Sequence, residues 1–239
     1  MHLQKRQRRM RRLRLQSLNL QAKSGSRPSK ALSRAAAKTQ TKHINLTKQN
    51  MCHESDCEHG DEACFPEFAE IGQKAPDFHL EGYLKGEKRH FSLEDSKGKW
   101  TLLFFYPLDF TFVCPTELIE LSKRVKEFEA LNAQVLGCSV DSVYSHEAWL
   151  KDIGDFEYPL LSDMTKEVSA QYGVLMPEKG IALRGSFIIS PDGILKSMTI
   201  NDLEIGRSID EILRTIGALQ TGDLCPVGWK KGDKTLGKA

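Results

Sequence analysis

Residues 100–107 read WTLLFFYP, an uninterrupted run of apolar and aromatic side chains closed by a proline. A stretch without polar alternation has no face to give to water, so the run predicts a fully buried central strand. AQVLGCSV at 133–140 predicts a second buried strand. Between the two, Leu118, Leu121, Val125 and Phe128 recur at spacings of three and four, which predicts an amphipathic helix within 114–131. Residues 144–153 predict a short helix with Trp149 on its apolar side, and another precedes Tyr172 and Gly173, at about 165–172. GSFIIS at 185–190, then PDG, then ILKSMTI at 194–200 is a strand, a tight turn and a strand. Ser208 starts a last helix, with Ile209, Ile212, Leu213 and Ile216 inward, running to about Leu219. Upstream, IGQKAPDFHLEGYLKG suits short strands and turns. The order implies an α/β domain, a mixed central sheet flanked by helices.

The charge is unevenly placed. Of 34 Lys+Arg and 32 Asp+Glu, residues 1–50 hold 14 basic and no acidic side chains, which leaves 20 against 32 in the remainder. The acidic body does not favour nucleic acid. No run approaches the roughly 18 apolar residues that cross a bilayer. The basic opening, KRQRRMRRLRL, is too polar to bury a core and is expected to be disordered or weakly helical. It suits an organelle transit segment, a basic binding arm, or a miscalled start, since Met51 follows just as the composition turns acidic. It lacks the apolar centre of a secretory signal. Residues 51–70 follow as an acidic linker with Cys52, Cys57 and Cys64 beside His53 and His59. Sulfur and imidazole are zinc or copper ligands, but no CxxC pair closes a site, and incidental thiols explain the segment better. The folded domain is expected over 71–239, with a polar, Gly-rich tail from about 220.

PLDFTFVCPTEL, residues 107–118, places Cys114 where the buried strand gives way to the helix. A helix N-terminus offers free N–H groups and a positive dipole end, and both stabilise a thiolate, the reactive form. Pro115 suits an early helical position. Thr111 lies one turn earlier, where its hydroxyl can aim at the sulfur. A free cysteine is commonly inert and buried, which is the expectation for Cys138 inside its apolar strand. The context of Cys114 argues for chemistry instead.

PLDFTFVCPTEL resembles the active-site segment of the typical two-cysteine peroxiredoxins, the alkyl hydroperoxide reductase C and thiol-specific antioxidant family. IGQKAPDF resembles that family's entry segment, SVYSHEAW its Ser-x-x-x-His-x-x-Trp helix, RGSFIISPDG its arginine-bearing strand, and GDLCPVGW its second cysteine segment. The resemblance covers about residues 71–232. It implies a thioredoxin-like fold with an extended C-terminal tail. Cys114 would be the peroxidatic cysteine and Arg184 would hold its thiolate and polarise the peroxide. Thr111 would hydrogen-bond sulfur and peroxide, Pro107 would shield the pocket, and Glu117 would orient Arg184. Cys225 would be the resolving cysteine, acting across a head-to-tail homodimer that assembles further to a decamer. Trp229 would anchor the tail. The substrate would be hydrogen peroxide or a small organic hydroperoxide, and thioredoxin or a dedicated disulfide reductase would recycle the enzyme. No metal, haem, flavin or other cofactor is implied, and no nucleic acid or membrane.

A redox-regulated chaperone or thiol relay is the alternative. A thioredoxin-like disulfide reductase is weakened because the active stretch is VCPT, without CxxC. The chain departs from easily inactivated eukaryotic members: KDIGDFEYPLLSD stands where their GGLG loop lies, and KKGDKTLGKA carries no Tyr-Phe. These departures imply a mobile resolving tail, a Cys114 that resists overoxidation, and a bacterial character. Cytoplasmic placement is expected, or mitochondrial if residues 1–50 are a transit peptide.

Overall fold

The computed structural model describes residues 68–238. The basic leader, and Cys52, Cys57 and Cys64 with their neighbouring histidines, lie outside the described residues.

Seven strands form the main sheet. β1 (His79–Leu84) and β2 (Glu87–Ser92) are a hairpin, followed by a 3-10 turn at Glu94–Ser96 and by β3 (Trp100–Phe105). Then come α1 (Cys114–Lys123), α2 (Val125–Glu129), β4 (Ala133–Ser139), α3 (Val143–Ile153), β5 (Leu160–Ser162) and α4 (Glu167–Gln171). The two-residue strands β6 (Leu175–Met176) and β7 (Ile181–Ala182) pair separately. β8 (Arg184–Ile189), β9 (Leu195–Asn201) and α5 (Ile209–Thr221) complete the order. The sheet runs β2-β1-β5-β4-β3-β8-β9. It is parallel at β3–β4 and β4–β5 and antiparallel at the other junctions, hence mixed as expected.

β3 explains its own sequence. Leu102 and Phe104 point into one core with Leu118, Leu121, Trp149, Ile212 and Ile216. Leu103 and Phe105 point into the other, with Phe78, Tyr172 and Phe187. Both faces are buried, so the run carries no alternation. The helix expected across 114–131 breaks at Arg124, whose φ of −106° and ψ of 9° leave the helical region. Its guanidinium bridges Glu127 and Asp210 of α5. Val125 and Phe128 are buried as the spacing predicts.

Folded structure begins by Ala69, whose N–H donates to the Gln171 carbonyl, slightly ahead of the boundary expected at 71. The tail after α5 has no helix or strand, but it is tied down. The N–H groups of Leu224 and Leu236 donate to the carbonyls of Gly237 and Leu224. Trp229 is buried, and its ring N–H donates to the Asp233 carbonyl.

Candidate active site

β3 delivers the chain at Phe105 into a connection that ends where α1 begins. Cys114 is the first residue of that ten-residue helix, with Pro115 in its first turn and no side-chain cap from Val113. The sulfur sits at the positive end of the helix dipole, although the Thr116 and Glu117 N–H groups donate to the Val113 carbonyl. The structure buries Cys114 completely, among Leu118, Tyr106 and the first core.

Arg184 opens β8 and reaches across to this turn. Its Nη1 donates to Cys114 Sγ at 3.4 Å and to Glu117 Oε2 at 2.8 Å, while its Nε donates to the Leu203 carbonyl at 2.8 Å. The guanidinium is thus held on two sides and aimed at sulfur on a third. The next residue must be glycine: a Cβ on Gly185 would lie 2.7 Å from both Val174 Cγ1 and Phe187 Cε2. Glu117, one turn after Cys114 on the same helix, is the carboxylate that takes this bond from Arg184.

Sequence reasoning missed Arg207. Its backbone N–H and Nε donate to Glu117 Oε1 at 2.7 and 2.9 Å, and its Nη2 to Oε2 at 3.2 Å. Its Nη1 donates to the Gly185 carbonyl, and the guanidinium lies 3.2 Å from the centroid of the Phe104 ring. Burial draws its pKa down to about 10, against the pull of Glu117, so it keeps its charge at neutral pH. Two guanidiniums therefore share one carboxylate. The surplus positive charge lies beside the sulfur. The signal in sequence is faint: Arg207 only precedes the helix-capping Ser208, and its partner stands 90 positions away.

Thr111 and Pro107 lie on the connection between β3 and α1. Pro107 is buried. The Thr111 hydroxyl donates to the Leu108 carbonyl at 2.9 Å, and no bond to the sulfur is present among the described residues. With its proton committed, the oxygen keeps lone pairs for an incoming donor. Cys225 is half-buried beyond α5, with Sγ 3.4 Å from Thr221 Oγ1 and 3.8 Å from the Ala218 carbonyl. It makes no bond to Cys114, and both thiols are free. Cys138 is buried in β4, and burial pushes its thiol well above the usual range, as befits an inert packing residue.

The AhpC/TSA family model matches residues 71–198. The chloroplastic 2-Cys peroxiredoxin BAS1 of Hordeum vulgare is 51% identical over 177 residues, covering 70% of this chain and 84% of that protein. The mitochondrial thioredoxin-dependent peroxide reductase of Drosophila melanogaster is 50% identical over 169 residues, 66% of this chain and 72% of that one. The reduced 2-Cys peroxiredoxin of Plasmodium vivax superposes with a TM-score of 0.67 at 43% identity, over 69% of this chain and 91% of that structure. The arrangement of sheet and helices is the thioredoxin-like one shared with such structures.

Proposed function

This chain belongs to the AhpC/TSA family, and from that premise we propose that it is a thiol-dependent peroxidase whose peroxidatic residue is Cys114. The observation that carries the assignment is the Arg184 guanidinium, which bonds Cys114 Sγ and Glu117 at once, all three residues being buried. The thiolate attacks one oxygen of hydrogen peroxide or a small hydroperoxide. The O–O bond breaks, one oxygen stays on sulfur as a sulfenic acid, and the other leaves as hydroxide or alkoxide, which takes up the proton the thiol gave up and becomes water or alcohol. Arg184 has fixed donors for the negative charge that grows on the departing oxygen. The Thr111 oxygen accepts from the peroxide O–H, and Pro107 keeps bulk water from the sulfur.

Cys225 of the partner subunit then condenses with the sulfenic acid, releasing water and forming a disulfide. A dithiol protein of the thioredoxin kind reduces that bond by thiol–disulfide exchange. Assembly into a homodimer, and from dimers into a decamer, is supported by apolar side chains left at the surface. Phe112 is 91% exposed beside Phe110 at the site, and Met198 and Ile200 lie exposed on β9, a free edge of the sheet. The compartment proposed is the cytoplasm. Organelle import through residues 1–50 is the alternative, supported by relatives named chloroplastic and mitochondrial.

The test is one equivalent of hydrogen peroxide on the reduced protein, followed by non-reducing gel and peptide mass analysis. A covalent dimer linked Cys114 to Cys225, absent in Cys225→Ser, is the expected result. Cys114 joined to Cys52, Cys57 or Cys64 would assign resolution to the leader instead.

A further inference from the structure

The connection between α3 and β5 has no part in the chemistry above, yet it takes hold of the helix that carries Cys114. Gly154 ends α3, its N–H donating to the Leu150 carbonyl at 2.8 Å. Phe156 and Tyr158 then enter the first core with their rings stacked, centroids 5.4 Å apart. The Tyr158 hydroxyl donates to the Leu118 carbonyl at 2.8 Å, and the bond is buried. Inside an α-helix that carbonyl already accepts from the N–H four residues on, here Ser122. Its second lone pair is thus taken by a side chain 40 positions away. Burial pushes the Tyr158 phenol well above its usual range, so it keeps its proton and stays a donor. Glu157, the residue before, donates its N–H to Ser122 Oγ at 3.3 Å. Two neighbouring residues of one connection therefore grip α1 at Leu118 and again one turn later.

The connection is itself fixed to the sheet. The Gly137 N–H of β4 donates to the Pro159 carbonyl at 3.0 Å. Leu160 and Leu161 pair with Gly137 and Cys138 on one side and with Tyr83 and Gly82 on the other. Tyr158 stands directly before this stretch, so its ring is tied to the part of the molecule with most backbone pairing. The place of the grip matters. Cys114 has no exposed surface, so a thiol of another chain reaches it only after the first turn of α1 opens. That turn is held through the side chains of Cys114 and Glu117, by Arg184 and Arg207. At Leu118 the main chain itself is bonded from outside the helix. An opening that begins at Cys114 runs through the first turn and meets Tyr158 next.

We infer that Tyr158 is a positioning residue for disulfide formation: its hydroxyl, on the Leu118 carbonyl, is the fixed point at which the opening of α1 stops. Residues 114–117 then form a short tether that keeps the freed sulfur near one place, where the Cys225 thiol can meet it. The inference rests on the proposed roles of Cys114 and Cys225, and adds the residue that limits the movement between them. Two fates compete for the sulfenic acid. Condensation with the Cys225 thiol forms the S–S bond and releases water. Attack of the sulfenic sulfur on a second peroxide breaks its O–O bond, leaves one more oxygen on sulfur as a sulfinic acid, and releases water or alcohol. A longer free segment spreads the sulfur over more positions and disfavours the first fate.

Tyr158→Phe in the full-length chain removes the hydroxyl and keeps the ring. Stopped-flow oxidation of Cys114 by hydrogen peroxide is expected to stay within about threefold of wild type, because the groups around the sulfur are untouched. Peptide mass analysis across a peroxide dose series is expected to show the ratio of Cys114–Cys225 disulfide to Cys114 sulfinic acid falling about fivefold, the weight of one buried hydrogen bond. An unchanged ratio overturns the proposal. A higher ratio does so too, since it means that the bond breaks on opening and acts as a brake. A parallel loss of oxidation and disulfide marks general damage and also counts against it. Hydrogen exchange on wild type covers a variant that does not fold. After one equivalent of peroxide, the amides of Ser122, Lys123 and Arg124, whose acceptors begin at Leu118, should stay as protected as in the reduced protein. Lost protection there overturns the proposal. If the wild type ignores peroxide, the peroxidatic assignment fails. The grip is then read separately in the reduced proteins, where Tyr158→Phe should exchange these amides about fivefold faster, and equal exchange sinks it.

Discussion

Glu117 governs the charges around Cys114. Its two oxygens take bonds from Arg184 and Arg207, and all three side chains are buried. A buried carboxylate between two guanidiniums fixes both in space, so Arg184 meets the sulfur with its plane already set. Lysine would keep the charge at 184 but not the fork, and could not serve Leu203, Glu117 and Sγ from one rigid plane. Arg184→Lys is therefore expected to slow the reaction of Cys114 with peroxide by about a hundredfold, comparable to losing one oriented donor to a developing oxyanion. Stopped-flow kinetics at saturating reductant measures it; a loss below about tenfold would mean that positive charge alone suffices. Cys114 was legible in sequence from the strand–helix junction itself, whereas Glu117 and Arg184 were named only through the family resemblance of the segments that carry them. Arg207 was not, because its meaning comes from a carboxylate that only the fold brings near.

α5 and the chain beyond it link the site to the second cysteine. Ser208 caps the helix by accepting the Glu211 N–H, and Arg207, just before it, is bound to Glu117. The start of α5 is thereby pinned to the turn that carries Cys114, while its end leads into the segment carrying Cys225. That segment is held by Trp229, whose carbonyl accepts from Arg214 Nη1 at 3.4 Å and whose ring lies against the helix at Gly217. Trp229→Ala removes the one large buried side chain there. Labelling of Cys225 by iodoacetamide is expected to rise about tenfold or more, with the peroxide rate of Cys114 unchanged. Equal labelling in both proteins would mean that the backbone bonds among Leu224, Leu236 and Gly237 hold the tail alone. The strong helices were legible from periodicity, and the buried strands from unbroken apolar runs. β2 was not, since Phe91 is its only buried residue and its charges suit a sheet edge. β5 was missed because three residues are too few to carry a period.

Attack and resolution make opposite demands on the whole molecule. Peroxide is small and needs only a gap beside Cys114, Arg184 and Thr111. A second protein thiol needs far more room: a disulfide brings two Cα atoms within about 4.4–6.8 Å. Cys114 has no exposed surface, and its sulfur accepts from Arg184 Nη1. A thiol from another chain cannot reach it while the first turn of α1 is intact. The sheet, however, has no reason to move, because β3 and β4 are paired along their length and buried on both faces. The change must be local, confined to the connection, the first turn of α1 and the tail, the parts with fewest backbone pairings. Hydrogen exchange tests this on the full-length protein, reduced and after one equivalent of peroxide. Residues 107–118 are expected to be protected when reduced and to exchange about tenfold faster or more in the disulfide form, while residues 100–105 and 133–139 stay protected in both. Equal protection of 107–118 in the two states would mean that the disulfide forms with α1 closed, which the buried sulfur does not permit, and would move resolution to a different pair of cysteines.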